Sequence, residues 1–271
     1  KELEKEGGDV LYPSFDEIRA EDAEGKAALI WQIYDASGNE IRRMKSSPKK
    51  GIQRQVWDLR TNSTDPIGSR GSGFLVTPGK FAVSVSYVKD GSVEALIVKE
   101  PFIVKGLNNQ TLLAENPEEL KAFRAEMAEL NRKVSGTEKV MGETKESIAL
   151  IEKALLNYPN TDLSMLKSIR DMKMSYKDLE VSMWGDKVRT SRDFETVPSI
   201  SERLGMVGYQ LYQNTTGVTN THRENKRIAE KQYVKLKEEL NKVIKRLSLV
   251  EDKLDGIIPY TRNKGADWKR D

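Results

Sequence analysis

The sequence predicts a multidomain α+β protein, an N-terminal β-sandwich followed by an antiparallel four-helix bundle. Three observations carry this. Apolar residues up to about residue 105 alternate with the two-residue period of half-buried strands. Those after residue 116 recur at steps of three and four, the spacing of a helix face. The change happens once, across Lys105–Glu115, which reads as a linker. The domains are accordingly placed at 1–105 and 116–258, with 259–271 as a C-terminal tail.

The strand-like runs are Ala27 to Tyr34, Ile52 to Leu59, Phe81 to Val88 and Val93 to Val104, rich in β-branched and aromatic residues. Turn chemistry separates them: Asp35-Ala36-Ser37-Gly38-Asn39, Thr77-Pro78-Gly79-Lys80 and Asp90-Gly91, the last a strong hairpin signal. About seven short strands fit this length, so the expected sandwich is immunoglobulin-like. Trp57 and Leu59 alternate with Asp58 and Arg60, which places the apolar pair toward the core and the charges outward. The run Gly68-Ser69-Arg70-Gly71-Ser72-Gly73 lacks the lysine and the following helix of a phosphate-binding loop and reads as a flexible loop.

The first helix is the longest. Asn116 supplies a cap, Pro117 takes the first helical position, and the stripe Leu120, Phe123, Met127, Leu130, Val134, Met141, Ile148, Ile151 and Leu155 is interrupted only by Thr137 and Thr144. A stripe of about ten turns needs partner helices to cover it. Asp162 is expected to cap a helix carrying Leu166, Ile169, Met172, Tyr176, Leu179 and Met183. Ser199 with Glu202 resembles a capping box before Leu204, Val207 and Leu211. The last helix carries Tyr233, Leu236, Leu240, Val243, Leu247, Val250 and Leu254, with Gly256 and Pro259 as stop signals. Glu129–Lys133 and Glu238–Lys242 are spaced as ion pairs on the wet faces. A two-chain coiled coil competes with this reading, but the two shorter helices supply enough apolar surface to close a bundle within one chain.

Composition excludes several functions. The 45 basic and 42 acidic residues nearly balance and are interspersed, which leaves no electrostatic footprint for nucleic acid. With no cysteine there are no disulfides, thiol nucleophiles or zinc-thiolate sites. No apolar stretch approaches the roughly 20 residues of a membrane span, and no signal peptide opens the sequence. The start at Lys1, without methionine, reads as a mature or excised product. His222 is the only histidine, so histidine-cluster metal sites are excluded, and no Gly-x-Ser-x-Gly elbow accompanies it. Its place near the start of the last helix suggests a capping or surface role.

The segments Ile30-Trp31-Gln32-Ile33-Tyr34-Asp35 to Gly38, Ile41-Arg42-Arg43, Gln55-Val56-Trp57-Asp58-Leu59-Arg60 and Thr77-Pro78-Gly79-Lys80-Phe81-Ala82-Val83 resemble the immunoglobulin-like module near the C-terminus of bacterial sortilin-like proteins with BNR repeats. These are large exported β-propeller proteins often labelled glycosyl hydrolases. The resemblance continues through Pro198-Ser199-Ile200, Leu204-Gly205 and Thr215-Thr216-Gly217 into the last helix. Aspartate-box repeats of the propeller are missing, so activity owed to the propeller does not carry over. The resemblance implies export to the periplasm or cell surface, and a neighbouring propeller domain or a protein of an exported assembly as partner.

No catalytic residue, cofactor or metal ligand is assigned. The loop Trp184-Gly185-Asp186 to Arg189, with Arg192, Asp193 and Phe194, mixes an aromatic with charges between two helices, so Trp184, Arg189 and Arg192 are the binding candidates. Two function classes follow: a non-catalytic structural or interaction region, and a carbohydrate-binding accessory module in which exposed aromatics stack on sugar rings. Exposure of Trp31, Trp57 and Trp184 separates them, because buried indoles leave a sugar no platform.

Overall fold

The computed structural model describes residues 13–64, 71–107 and 116–255. Within them the protein is α+β, with a four-stranded antiparallel sheet and six helices. It divides into two units. One comprises Lys1–Asn62 with Val76–Asn108, the other Ser63–Leu75 with Asn109–Asp271. The described residues 63–64 and 71–75 thus belong with the helices, although they lie between strands of the first unit in sequence.

The strand unit opens with a short helix α1 (Phe15–Ala23), closed by a Ser14–Glu17 capping box. Strands β1 (Ala28–Tyr34), β2 (Glu40–Ser46), β5 (Gly79–Lys89) and β6 (Ser92–Val104) pair in the order β2-β1-β5-β6. The β1–β2 turn is held by Asp35, whose Oδ1 accepts the amides of Ser37 and Asn39 at 2.9 Å, while Gly38 takes the positive φ the turn requires. Asp90 and Gly91 both have positive φ, as a two-residue hairpin turn needs to match strand twist. Register places Trp31 opposite Met44 and Val85, and Ile33 opposite Val83, so one face carries the buried Leu29, Ile33, Phe81 and Val85.

Two expectations change here. Residues 52–58 form no strand: Ile52 and Val56 are exposed, and the only extended ladder in this region is the short β3 (Arg60–Asn62). Alternation failed because the segment turns on itself at Leu59 (φ +57), which is 37% exposed and is not among the buried core residues. Trp57 does reach the core, packing edge-on to Phe81 (5.7 Å between centroids) and Phe102 (6.1 Å). Strand β6 forms as expected, but Val93, Val98 and Ile103 are exposed because it is an edge strand. Its pairing shifts between Val83 and Val85 and again between Val85 and Ser86. Lys99 bulges out at φ +47, its amide taken up by Ser84 Oγ at 2.9 Å, and Pro101 removes one more donor. Bulges, a lysine and a proline are what blunt an edge against pairing with another chain.

The helical unit contains β4 (Ser72–Leu75), α2 (Pro117–Asn157), α3 (Met165–Trp184), α4 (Lys187–Thr190), α5 (Ile200–Gln213) and α6 (Asn220–Asp255). Ser72 and Gly73, expected in a flexible loop, therefore stand in a strand; residues 68–70 lie outside the described residues. Gly256, Pro259 and the tail also lie outside them. The predicted stripes are the buried faces: Met127, Met141 and Leu155 of α2, Ile169, Met172 and Met183 of α3, Ile200, Val207 and Leu211 of α5, and Leu236, Leu240 and Leu254 of α6 join one core. The two threonines in the α2 stripe are satisfied internally. Thr144 Oγ1 donates to the Val140 carbonyl at 2.7 Å, and Thr137 Oγ1 donates to Lys133 O and lies 3.1 Å from Tyr233 Oη.

Helix ends follow the sequence with one correction. Asn116 Oδ1 caps α2 through the Glu119 amide, and Ser199 with Glu202 forms the capping box of α5. Asp162 does not cap α3: its carboxylate closes a local turn onto the amide and hydroxyl of Ser164 before the helix starts. Of the two expected ion pairs, Lys133–Glu129 forms at 3.4 Å, whereas Lys242 turns to Glu239 at 2.7 Å instead of Glu238. At three or four residues' spacing both carboxylates are within reach, so the sequence alone leaves the choice open.

Candidate functional site

The Trp184 loop is built by three local devices. Gly185, at φ +88, ends α3, and a side chain there would meet the Glu202 carboxylate at 3.4 Å. Asp186 Oδ1 caps the single turn of α4 by accepting the amides of Val188 and Arg189, both at 3.1 Å. Trp184 is half-buried against the helical core, and its Nε1 donates to Glu138 Oε1 of α2 at 2.9 Å, an oxygen that also accepts from Ser201 Oγ. Arg189 lies 3.5 Å from Asp186 Oδ2, and Arg192 is exposed, its amide closing the turn onto the Arg189 carbonyl. Trp184 is thus given to the core, and the two guanidinium groups remain on the turn.

The other two described tryptophans are engaged in the same way. Trp31 Nε1 donates to Ser46 Oγ and Trp57 Nε1 to the Arg60 carbonyl, each at 2.9 Å, and both rings are half-buried. Exposed aromatic surface lies elsewhere: at Phe15 in the strand unit, and in the helical unit at Tyr158, Phe194, Tyr212 and Tyr209, the last on the outer face of α5.

Two polar sites escaped the reading of the sequence. Arg124 is only 5% exposed; its Nη1 donates to the Leu75 carbonyl (2.8 Å) and its Nη2 to those of Leu211 and Asn214 (both 2.9 Å). A cation on the carbonyls that end α5 is favoured by the helix dipole, and the same group fastens β4 to the unit. The signal was present: Arg124 stands four residues after Leu120 and three before Met127, on the buried face. The second is His222, buried at 4%, where α5 leads into α6. Its Nε2 lies 2.6 Å from Gln210 Oε1, and its Nδ1 accepts the Thr219 amide at 3.2 Å. Burial, and then the neighbouring Arg223, push its pKa below 6.5. A capping or surface role was expected of it; the bonds to Thr219 are those of a cap, and the burial corrects the surface alternative.

The turn Trp57-Asp58-Leu59-Arg60 is equally committed. Asp58 Oδ1 accepts the Arg60 amide at 3.1 Å, Leu59 O accepts the Val76 amide at 2.8 Å, and Arg42 reaches both Asp58 and the Thr61 carbonyl. Among the described residues no group of three or more His, Asp or Glu is placed to hold a metal, and no helix is long and apolar enough to cross a membrane.

Comparison with protein families, with characterised proteins and with solved structures gives no match.

Proposed function

We propose that this chain is a non-catalytic structural or interaction region of a larger exported protein of the sortilin-like β-propeller kind. The observation that carries the non-catalytic part is the commitment of its distinctive polar and aromatic side chains to internal bonds. All three described indole N–H groups, the Arg124 guanidinium and the His222 ring are bound to acceptors or donors of their own unit. In this reading α2, α3, α5 and α6 are an antiparallel four-helix bundle, supported by the single core to which all four contribute. The strand unit is an immunoglobulin-like sandwich whose second layer includes the segment around Trp57, supported by the contacts of that ring with Phe81 and Phe102. The exported parent and its propeller rest on the resemblance of the Trp31, Trp57 and Pro78 segments alone.

Reading the coding sequence upstream of Lys1 tests the parent, since propeller repeats are expected there. Deleting this region from such a parent is expected to lower the propeller's thermal stability or to abolish a partner's binding. A propeller that folds, is exported and assembles unchanged without it overturns the proposal.

A carbohydrate-binding accessory module is the second reading, favoured by the exposed Tyr209, 68% accessible, and Phe194. Retention on an insoluble polysaccharide that is lost in Tyr209→Ala or Phe194→Ala would establish it in place of the first.

A further inference from the structure

One imidazole joins three helices at the return from α5 to α6. Thr219 is the N-cap of α6, and its Oγ1 accepts the His222 amide at 3.2 Å. In return His222 Nδ1 accepts the Thr219 amide at 3.2 Å. This is the reciprocal arrangement of a capping box, with histidine at the position that glutamate or glutamine ordinarily takes. Because Nδ1 must offer its lone pair there, the single proton of the neutral ring resides on Nε2, where it is donated to Gln210 Oε1 on α5. The ring also stacks on Phe123 of α2, with centroids 6.5 Å apart and planes at 28°.

The charged groups around this ring come from two helices. On α6 they are Arg223 and Lys226; Lys226 Nζ lies 5.9 Å from the Phe123 ring centroid. On α2 they are Glu119, paired with Arg223, Glu126, paired with Lys226 at 2.9 Å, and Arg124 on the Leu211 and Asn214 carbonyls. From α5 the group that meets the ring is the neutral Gln210. The carboxylates of Glu119 and Glu126 already have cationic partners, and α6 presents its positive dipole end to the ring.

We propose that the α5–α6 joint is an acid-sensitive latch, held shut by neutral His222 and released when Nδ1 takes a second proton. That proton occupies the site of the Thr219 amide, so the cap is lost as the ring becomes charged. It also places a cation in the first turn of a 36-residue helix. The direction follows from linkage: a folded-state pKa below 6.5 means that the open joint binds the proton more readily than the closed one. Closure is therefore fully favoured above pH 6.5 and is lost progressively as pH falls from 6.5 through the lowered value.

The test is direct because the chain has one histidine. Imidazole nitrogen shifts followed by NMR on the whole chain should show the Nε2–H tautomer at neutral pH and titration below 6.5. Amide exchange at Thr219 and His222, corrected for intrinsic rates, should accelerate by up to about tenfold for each unit by which the pKa is lowered. His222→Gln restores an ordinary capping box without a titrating ring, and should leave exchange at these amides independent of pH across the same range. A ring that titrates at or above 6.5 overturns the latch. So does an acid-driven loss of protection that persists in His222→Gln, and if that variant does not fold, the wild-type titration decides alone.

Discussion

Arg124 Nη2 lies 2.9 Å from the carbonyl oxygen of Leu211, so a buried guanidinium in the first third of α2 closes the last turn of α5. The sequence pattern marks position 124 as part of the apolar stripe, and the structure shows why a cation is tolerated there. Carbonyls of Leu75, Leu211 and Asn214 accept from its two Nη groups, and its charge opposes the negative end of the helix dipole.

Removing that group leaves buried acceptors unpaired. Arg124→Ala is therefore expected to cost about 3 kcal/mol or more in denaturant unfolding. Arg124→Lys keeps the charge but loses the fork that spans three carbonyls, and should fall between the two. Hydrogen exchange should also show β4 loosened in Arg124→Ala; a variant as stable as the wild type would mean that the carbonyls find other donors.

The stripes themselves are tested at Leu130 and Leu247, both buried within the stripes of α2 and α6. Truncation to alanine leaves a cavity, and each change should cost about 2 to 5 kcal/mol. Glu129 and Lys242 lie on wet faces, and replacing either should change stability by under about 0.5 kcal/mol. The arginine and lysine beside Glu129 hold its carboxyl down at about 2, yet that group is solvent-exposed, so little stability follows from it.

Strain makes Leu59 a different kind of test. A leucine at φ +57 costs about 1 to 2 kcal/mol, and its partly exposed side chain offsets only some of that. Leu59→Gly should then leave thermal stability unchanged or raise it, whereas Leu59→Val, branched at Cβ, should lower it by more than about 1 kcal/mol. Equal loss in both variants would show that the side chain matters more than the backbone angle.

Alkaline pH reports on Tyr176. Burial, reinforced by Glu180, pushes its phenol up to about 12, and its hydroxyl donates to the Met141 carbonyl at 2.8 Å. Because the folded state keeps the proton more tightly than the unfolded chain, stability should fall as pH rises from about 10 toward about 12. Tyr176→Phe should remove that slope and cost about 1 kcal/mol at neutral pH. Absorbance of tyrosinate during titration provides the check.

How much of this was legible depended on the range of the forces involved. The α2 and α6 stripes, the Asn116 cap, the Ser199 box and the Asp90-Gly91 turn are set by residues a few positions apart, and the sequence displays them openly. The run Ile52–Leu59 misled because its alternation is real but its partner strand is absent, and the turn at Leu59 depends on Val76 and on Arg42, which reaches the Thr61 carbonyl, both of them distant in sequence. Burial of His222 needed Phe123 and Gln210 from two other helices. The candidate loop was located correctly as a connection between helices, but which way the Trp184 ring turned was decided by Glu138, 46 residues earlier.

That ring gives the clearest separation of the two functional readings. If Trp184 is a structural anchor, Trp184→Phe loses the 2.9 Å bond to Glu138 and part of its packing on the core, and should cost about 1 to 3 kcal/mol. Arg192→Ala removes an exposed side chain on a turn and should lie within about 0.5 kcal/mol of wild type. Arg189→Ala releases Asp186 from a surface pair but leaves its capping bonds to two amides, so its effect should be equally small. If instead the loop is a binding surface, both arginine variants would leave stability alone and weaken retention on a polysaccharide or on the parent's neighbouring domain. Measuring unfolding and retention side by side on the three variants assigns the loop to one reading or the other: stability lost only with Trp184 and retention untouched by Arg189 and Arg192 makes it scaffold.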